Sequence, residues 1–152
     1  MQKAVVIFLL LAFILLLSGQ GLAGDFSIGG RGQMAIPFTL STPETAYLFG
    51  PIVDYNLSQR FRLRGSFWLG SIEGRDIWKA GSKIIFDINP GGFNPYLGAG
   101  GSVMGEGEEF FVLPDIMLGS EVPLDESFSL FGEVSTSFLL LLGFSAGVSY
   151  NF

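Results

Sequence analysis

The chain has 152 residues, is 49% hydrophobic and 14% aromatic, carries 8 basic against 14 acidic side chains, and contains no cysteine and no histidine. That length makes one domain, and an acidic balance argues against a nucleic-acid partner, which needs a basic face. Without Cys or His there is no disulfide framework, and zinc sites and histidine-dependent catalytic triads are excluded.

The amino end, MQKAVVIFLLLAFILLLSGQGLAG, combines Lys3, an apolar run from Ala4 to Leu17, and Gly21 and Ala23 placed as a signal peptidase reads them. The run is shorter than the ~20 residues a membrane-spanning helix needs, so residues 1–23 are expected to be a cleaved secretory signal rather than an anchor. Losing Lys3 leaves 7 basic against 14 acidic groups in residues 24–152.

From residue 25 the pattern is period-2 alternation, the mark of strands whose successive side chains point to opposite faces. The first strand sets Phe26, Ile28, Met34 and Ile36 against Ser27, Arg31 and Gln33, and a Pro/Ser/Thr-rich link follows. The second sets Tyr47, Phe49, Val53, Tyr55 and Leu57 against Asp54 and Asn56; after a turn at Ser58, the third sets Phe61, Leu63, Phe67 and Leu69 against Arg62, Arg64, Ser66 and Trp68. The polar stretch Ser71 to Trp78 reads as a loop, and a fourth strand from Lys79 sets Ile84, Phe86 and Ile88 against Lys83 and Asp87. NPGG turns the chain into a fifth strand, with Leu97, Ala99 and Val103 opposite Tyr96, Gly98, Gly100 and Ser102. An acidic link from Gly105 to Glu109 precedes strand six (FFVLPDIMLGSEV), and VPLDES leads to strand seven (FSLFGEVSTS). The eighth strand alternates Phe144, Ala146, Val148, Tyr150 and Phe152 with Gly143, Ser145, Gly147, Ser149 and Asn151, while SFLLLL before it supplies no polar loop beyond a tight hairpin.

Eight strands in residues 24–152 allow about 16 residues for each strand and its connection, which suits membrane-spanning strands. Links after strands one, three and five are expected to be the longer set and those after two, four and six the shorter, each set at its own end. Alternation alone does not say whether the apolar face looks in or out. The low charge content does: 14% charged residues is well below the ~25% of soluble domains, and the polar positions hold mostly Gly, Ser and Asn, which suit a cramped lumen. Charges of both signs share that face: Arg31, Arg62, Arg64 and Lys83 with Asp54, Asp87, Asp115, Glu121 and Glu133. They are expected to pair inside, because an isolated buried charge costs several kcal/mol. The turn at Ser58 would place Asp54 opposite Arg62 or Arg64, with Asp87 beside the same arginines. Phe26, Tyr47, Tyr55, Phe61, Phe128, Tyr150 and Phe152 fall near strand ends on the apolar face, as interfacial girdles do. GAGGSVMG lacks the spacing of a nucleotide-binding loop, and Glu106, Glu108 and Glu109 lack that of a calcium loop, so no cofactor or metal is expected.

The signal, the eight strands, FNPYLGAGGS and the closing GVSYNF together resemble the small bacterial outer-membrane β-barrels of the OmpA, OmpX and Opacity-protein type. The resemblance implies an all-β fold, an eight-stranded antiparallel up-and-down transmembrane barrel over residues 24–152. It implies chain ends facing the periplasm, longer links facing outward, and a monomer in contact with outer-membrane lipid and lipopolysaccharide. It also implies that Phe144, Val148, Tyr150 and Phe152 form the signal read by the barrel-assembly machinery. Barrel enzymes of the outer membrane resemble one another in depending on His, which this chain lacks, and the peptidoglycan-binding domain of full-length OmpA relatives is not expected here. A non-enzymatic envelope barrel with a plugged interior is therefore expected. A soluble periplasmic, lipocalin-like barrel binding an apolar ligand and a narrow small-solute pore stay open as alternatives.

Overall fold

The computed structural model describes residues 26–37, 45–90, 92–107, 109–137 and 141–152. The expected signal, Glu108 and the centre of SFLLLL lie outside the described residues.

Eight strands follow in order: β1 (Phe26–Pro37), β2 (Ala46–Asn56), β3 (Phe61–Ile72), β4 (Arg75–Asp87), β5 (Asn94–Glu106), β6 (Glu109–Pro123), β7 (Phe128–Ser137) and β8 (Leu141–Asn151). Every strand pairs antiparallel with its sequence neighbours, and β1 pairs with β8, which closes the barrel. Closure gives the ladder amides partners on both sides without requiring a second layer.

Local chemistry sets three of the turns. Ser58 Oγ accepts from the amides of Arg60 and Phe61 (3.3 and 3.2 Å), and Asp125 Oδ1 accepts from those of Ser127 and Phe128 (both 2.7 Å). These side chains satisfy turn amides between β2 and β3 and between β6 and β7. At the opposite end, Glu73 and Gly74 both have positive φ (54° and 74°), the paired conformation of a tight two-residue hairpin. The Ser71–Trp78 stretch is therefore not a loop: β3 runs to Ile72 and β4 starts at Arg75. The Gly105–Glu109 link likewise contracts to residues 107 and 108. This corrects the expectation of longer links after strands three and five. Polar residues here prolong the strands beyond their apolar portion instead of ending them.

The hydrophobic pattern is inside out. Val148 is 42% exposed on the outer surface, as are Leu97, Ile116, Leu118, Leu130 and Val134, whereas Arg64 is 2% and Lys83 6% exposed in the interior. Interior apolar groups form two small clusters, Ala35, Ala46, Leu48, Trp68 and Ile77 towards one end and Ile85, Tyr96 and Met117 towards the other. Inward glycines make room for large neighbours: a Cβ on Gly119 would lie 2.5 Å from the Tyr96 ring, and one on Gly147 would lie 2.6 Å from the Phe131 ring.

Candidate functional site: the lumen and its mouth

The ladders bring distant residues together in the interior. Asp54 on β2 is the register partner of Arg64 on β3. Arg64 holds Asp54 in a fork, Nε to Oδ1 at 2.6 Å and Nη2 to Oδ2 at 2.7 Å, and its Nη1 donates across the lumen to Glu133 on β7. Arg62 holds Asp87 in a second fork (2.8 and 2.6 Å) and donates through Nη1 to Asp54 at 3.2 Å and to Glu121 at 2.9 Å. Planar guanidinium forks fit carboxylates with two parallel bonds, which an ammonium cannot do.

Glu133 joins four strands. It accepts from Arg31 on β1, Arg64 on β3, the Tyr96 hydroxyl on β5 at 2.7 Å, and Ser145 on β8 at 3.3 Å. Aromatic faces pad the guanidiniums: Arg31 stacks 3.9 Å above Trp68, and Arg64 lies 5.3 Å from the Phe131 ring centre. Nearer the other end, Asp115 takes two lysines, with Lys83 Nζ 3.0 Å and Lys79 Nζ 3.2 Å from Oδ2; Ser137 donates to the same carboxylate and accepts from Lys79 at 2.9 Å.

All nine charged residues singled out from the sequence thus point inward, seven of them in the arginine network around Asp54 and Glu133, and Lys83 and Asp115 in the second cluster with Lys79 and Ser137. Lys79, Trp68 and Tyr96 belong with them. Lys79 is four positions before Lys83 and so shares its face, a signal that the expected fourth strand, opening at Lys79, already carried. Counting Lys79, the lumen holds Arg31, Arg62, Arg64, Lys79 and Lys83 against Asp54, Asp87, Asp115, Glu121 and Glu133, a one-to-one balance among the described residues. A balanced set can satisfy its own charges with no bound ion. Each carboxylate in it faces a guanidinium or ammonium.

The end carrying Phe26 and Phe152 opens into a polar vestibule of about 610 Å³, lined by Asn56, Arg62, Asp87, Asn94, Glu121 and Asn151 among others. Around its outer rim run aromatic contacts: Phe26 with Phe152 (5.7 Å between ring centres), Phe152 with Tyr150 (5.0 Å) and Tyr150 with Phe128 (5.0 Å). Phe61 and Phe86 add another pair at 5.3 Å. The register places Tyr55 opposite Phe26 at this same end, whereas Tyr47 pairs with Met34 and Ser71 towards the other. Of the carboxyl-terminal set, Phe144, Val148, Tyr150 and Phe152 are all exposed on the outer face.

The closed eight-stranded barrel has structural counterparts. Neisserial surface protein A superposes with a TM-score of 0.70 at 13% identity, over 84% of this chain and 97% of that one. The fold is that of the small outer-membrane β-barrels. The amino-terminal barrel domain of Pseudomonas aeruginosa OprF is similar at a TM-score of 0.67 and 16% identity, over 83% of this chain and 97% of that one. A de novo designed transmembrane β-barrel is similar at 0.59 and 14% identity, over 84% and 95%. No protein-family model matches the sequence, and no curated protein matches it.

Proposed function

We propose that the chain is a non-enzymatic integral outer-membrane barrel with a plugged polar interior, contributing to envelope structure or surface interaction. The observation that carries this reading is the inversion of the wall: Val148, Leu130 and Leu97 face outward while the ion pairs face the axis. Such a wall is soluble in hydrocarbon and would aggregate in water. On this reading the end bearing Phe26 and Phe152 faces the periplasm, residues 1–23 are a cleaved export signal, and Phe144, Val148, Tyr150 and Phe152 are recognised by the assembly machinery before they anchor at the lipid interface. The protein acts as a monomer surrounded by outer-membrane lipid and lipopolysaccharide.

An eight-stranded interior is only wide enough for side chains, and here forked arginines and Glu133 cross it. The purified barrel in planar bilayers is expected to stay closed or to conduct at the limit of detection. In cells it should fractionate with the outer membrane, require detergent for extraction, and migrate differently on gels before and after heating. Recovery from the periplasm without detergent, carrying bound lipid, would establish the soluble-barrel alternative; steady single-channel conductance sensitive to Arg64 would establish the pore.

A further inference from the structure

The charge balance of the lumen as a whole hides an uneven split. The arginine network sets Arg31, Arg62 and Arg64 against Asp54, Asp87, Glu121 and Glu133, one carboxylate in excess. That excess sits where water reaches it, because Glu121 lines the vestibule. The second cluster has the opposite excess: Lys79 and Lys83 share the single carboxylate of Asp115, both ammoniums reaching the same Oδ2, at 3.2 and 3.0 Å. Two like charges gathered on one oxygen repel, and the protein interior weakens that repulsion far less than water does.

Water is kept from this cluster. Lys79 and Lys83 are each 6% exposed. Ile77 comes two positions before Lys79 and Leu113 two before Asp115, on the lumen face, so these buried apolar groups stand between the cluster and the β3–β4 and β5–β6 turns. An unmatched charge in such surroundings is costly.

Donors are in excess as well. An ammonium carries three N–H groups. Among the described residues Lys79 donates to Asp115 and Ser137, and Lys83 meets Asp115 alone. Ser102 on β5 adds a hydroxyl: it is 3% exposed, and its Oγ has no hydrogen-bond partner among the described residues. The ladders set Ser102 opposite Gly81, midway between Lys79 and Lys83 on β4, and opposite Leu113 on its other side. Gly81 turns no side chain into the space between the two lysines, and a Cβ there would lie 2.9 Å from that of Ser102. Surplus positive charge, spare N–H groups and a spare O–H therefore meet at one level of the barrel.

We propose that Lys79, Lys83 and Ser102 bind a small monovalent anion of the halide class, which brings the second cluster to neutrality. One charge is what the cluster lacks, and the close approach of Ser102 to Gly81 favours a small ion over a polyatomic one. The site needs only the closed lumen, so it stands apart from which solvent meets the outer wall. The test is urea unfolding of the barrel in nonionic detergent, with chloride replaced stepwise by gluconate at constant ionic strength. An anion held by the folded state alone raises the folding constant in proportion to its concentration once binding is saturated, about tenfold at ten times the half-saturating chloride. Lys83→Met leaves Lys79 and Asp115 as an even pair and should remove the chloride dependence. Ser102→Ala should keep it but need about tenfold more chloride, as expected for a lost hydrogen bond to a charged group. Crystals of the unmodified protein grown in bromide should show an anomalous peak between Lys83 and Ser102. Equal stability of the unmodified barrel in the two salts, a chloride effect that Lys83→Met retains, as a general salt effect would be, or bromide found only elsewhere overturns the proposal.

Discussion

Glu133 shows how a single side chain can close a lumen. It accepts from Arg31, Arg64, Tyr96 and Ser145, so removing its carboxylate leaves Arg31 without an ion-pair partner among the described residues and takes one of Arg64's two carboxylates. Glu133→Ala is expected to destabilise the folded barrel by about 3–5 kcal/mol, the usual cost of breaking a buried pair from one side. Urea unfolding in lipid vesicles measures this. Glu106→Ala, which loses only a half-exposed pair with Arg75, should change stability by about 1 kcal/mol or less. A Gly119→Val barrel tests packing against the same network, because a side chain there meets the Tyr96 ring, whose hydroxyl bonds Glu133. It should cost about 1–3 kcal/mol, as overpacking does; unchanged stability would show that Tyr96 can move without loss. At this scale the sequence was informative about which charges share a face, since parity within a strand places them. It was silent on which arginine would fork which carboxylate across the lumen, because that depends on strand stagger and closure. The local turn placed Asp54 opposite Arg62 or Arg64, and the ladder pairs it with Arg64, whereas Arg64 reaching Glu133 spans 69 positions.

Strand β8 carries the outer wall in its simplest form, with Phe144, Ala146, Val148 and Tyr150 outward and Ser145 and Ser149 buried inward. A cation on the outer face pays for leaving water in proportion to its depth. Val148→Arg should therefore destabilise the barrel by up to about 2–4 kcal/mol, and less for a position nearer an interface. Phe152→Ser makes a different prediction: less folded barrel in the outer membrane of cells, with the stability of the protein refolded in vitro nearly unchanged, as follows if Phe152 acts mainly during assembly. An equal loss in both settings would make it a packing residue. Strands whose two faces differ sharply, such as β7 from Phe128 to Ser137, were legible to the residue. The β3–β4 hairpin was not, because Glu73, Arg75 and Asp76 look like a loop to any reading based on polarity. Their conformation is set by the positive φ of Glu73 and Gly74 and by register with β5, neither of which leaves a periodic trace. Lys79, by contrast, opened the expected fourth strand on the face of Lys83, so parity alone would have placed it in the lumen.

For the whole molecule, closure converts an amphipathic meander into a barrel with an apolar outer wall. Alternation within each strand and the turns between strands are the local part of this fold. Those are the features that could be read before any coordinates. The central claim is that apolar side chains meet lipid while the ions face a filled axis. The natural absence of cysteine makes one experiment direct: single cysteines along β7, from Phe128 to Ser137, spin-labelled in lipid vesicles and read for collisions with oxygen and with a water-soluble nickel complex. Oxygen contact should rise at Leu130 and Val134 and fall at Phe131 and Glu133, with a period of two; the reverse phase, or nickel contact at Leu130 and Val134 matching that of a label in water, would contradict the account.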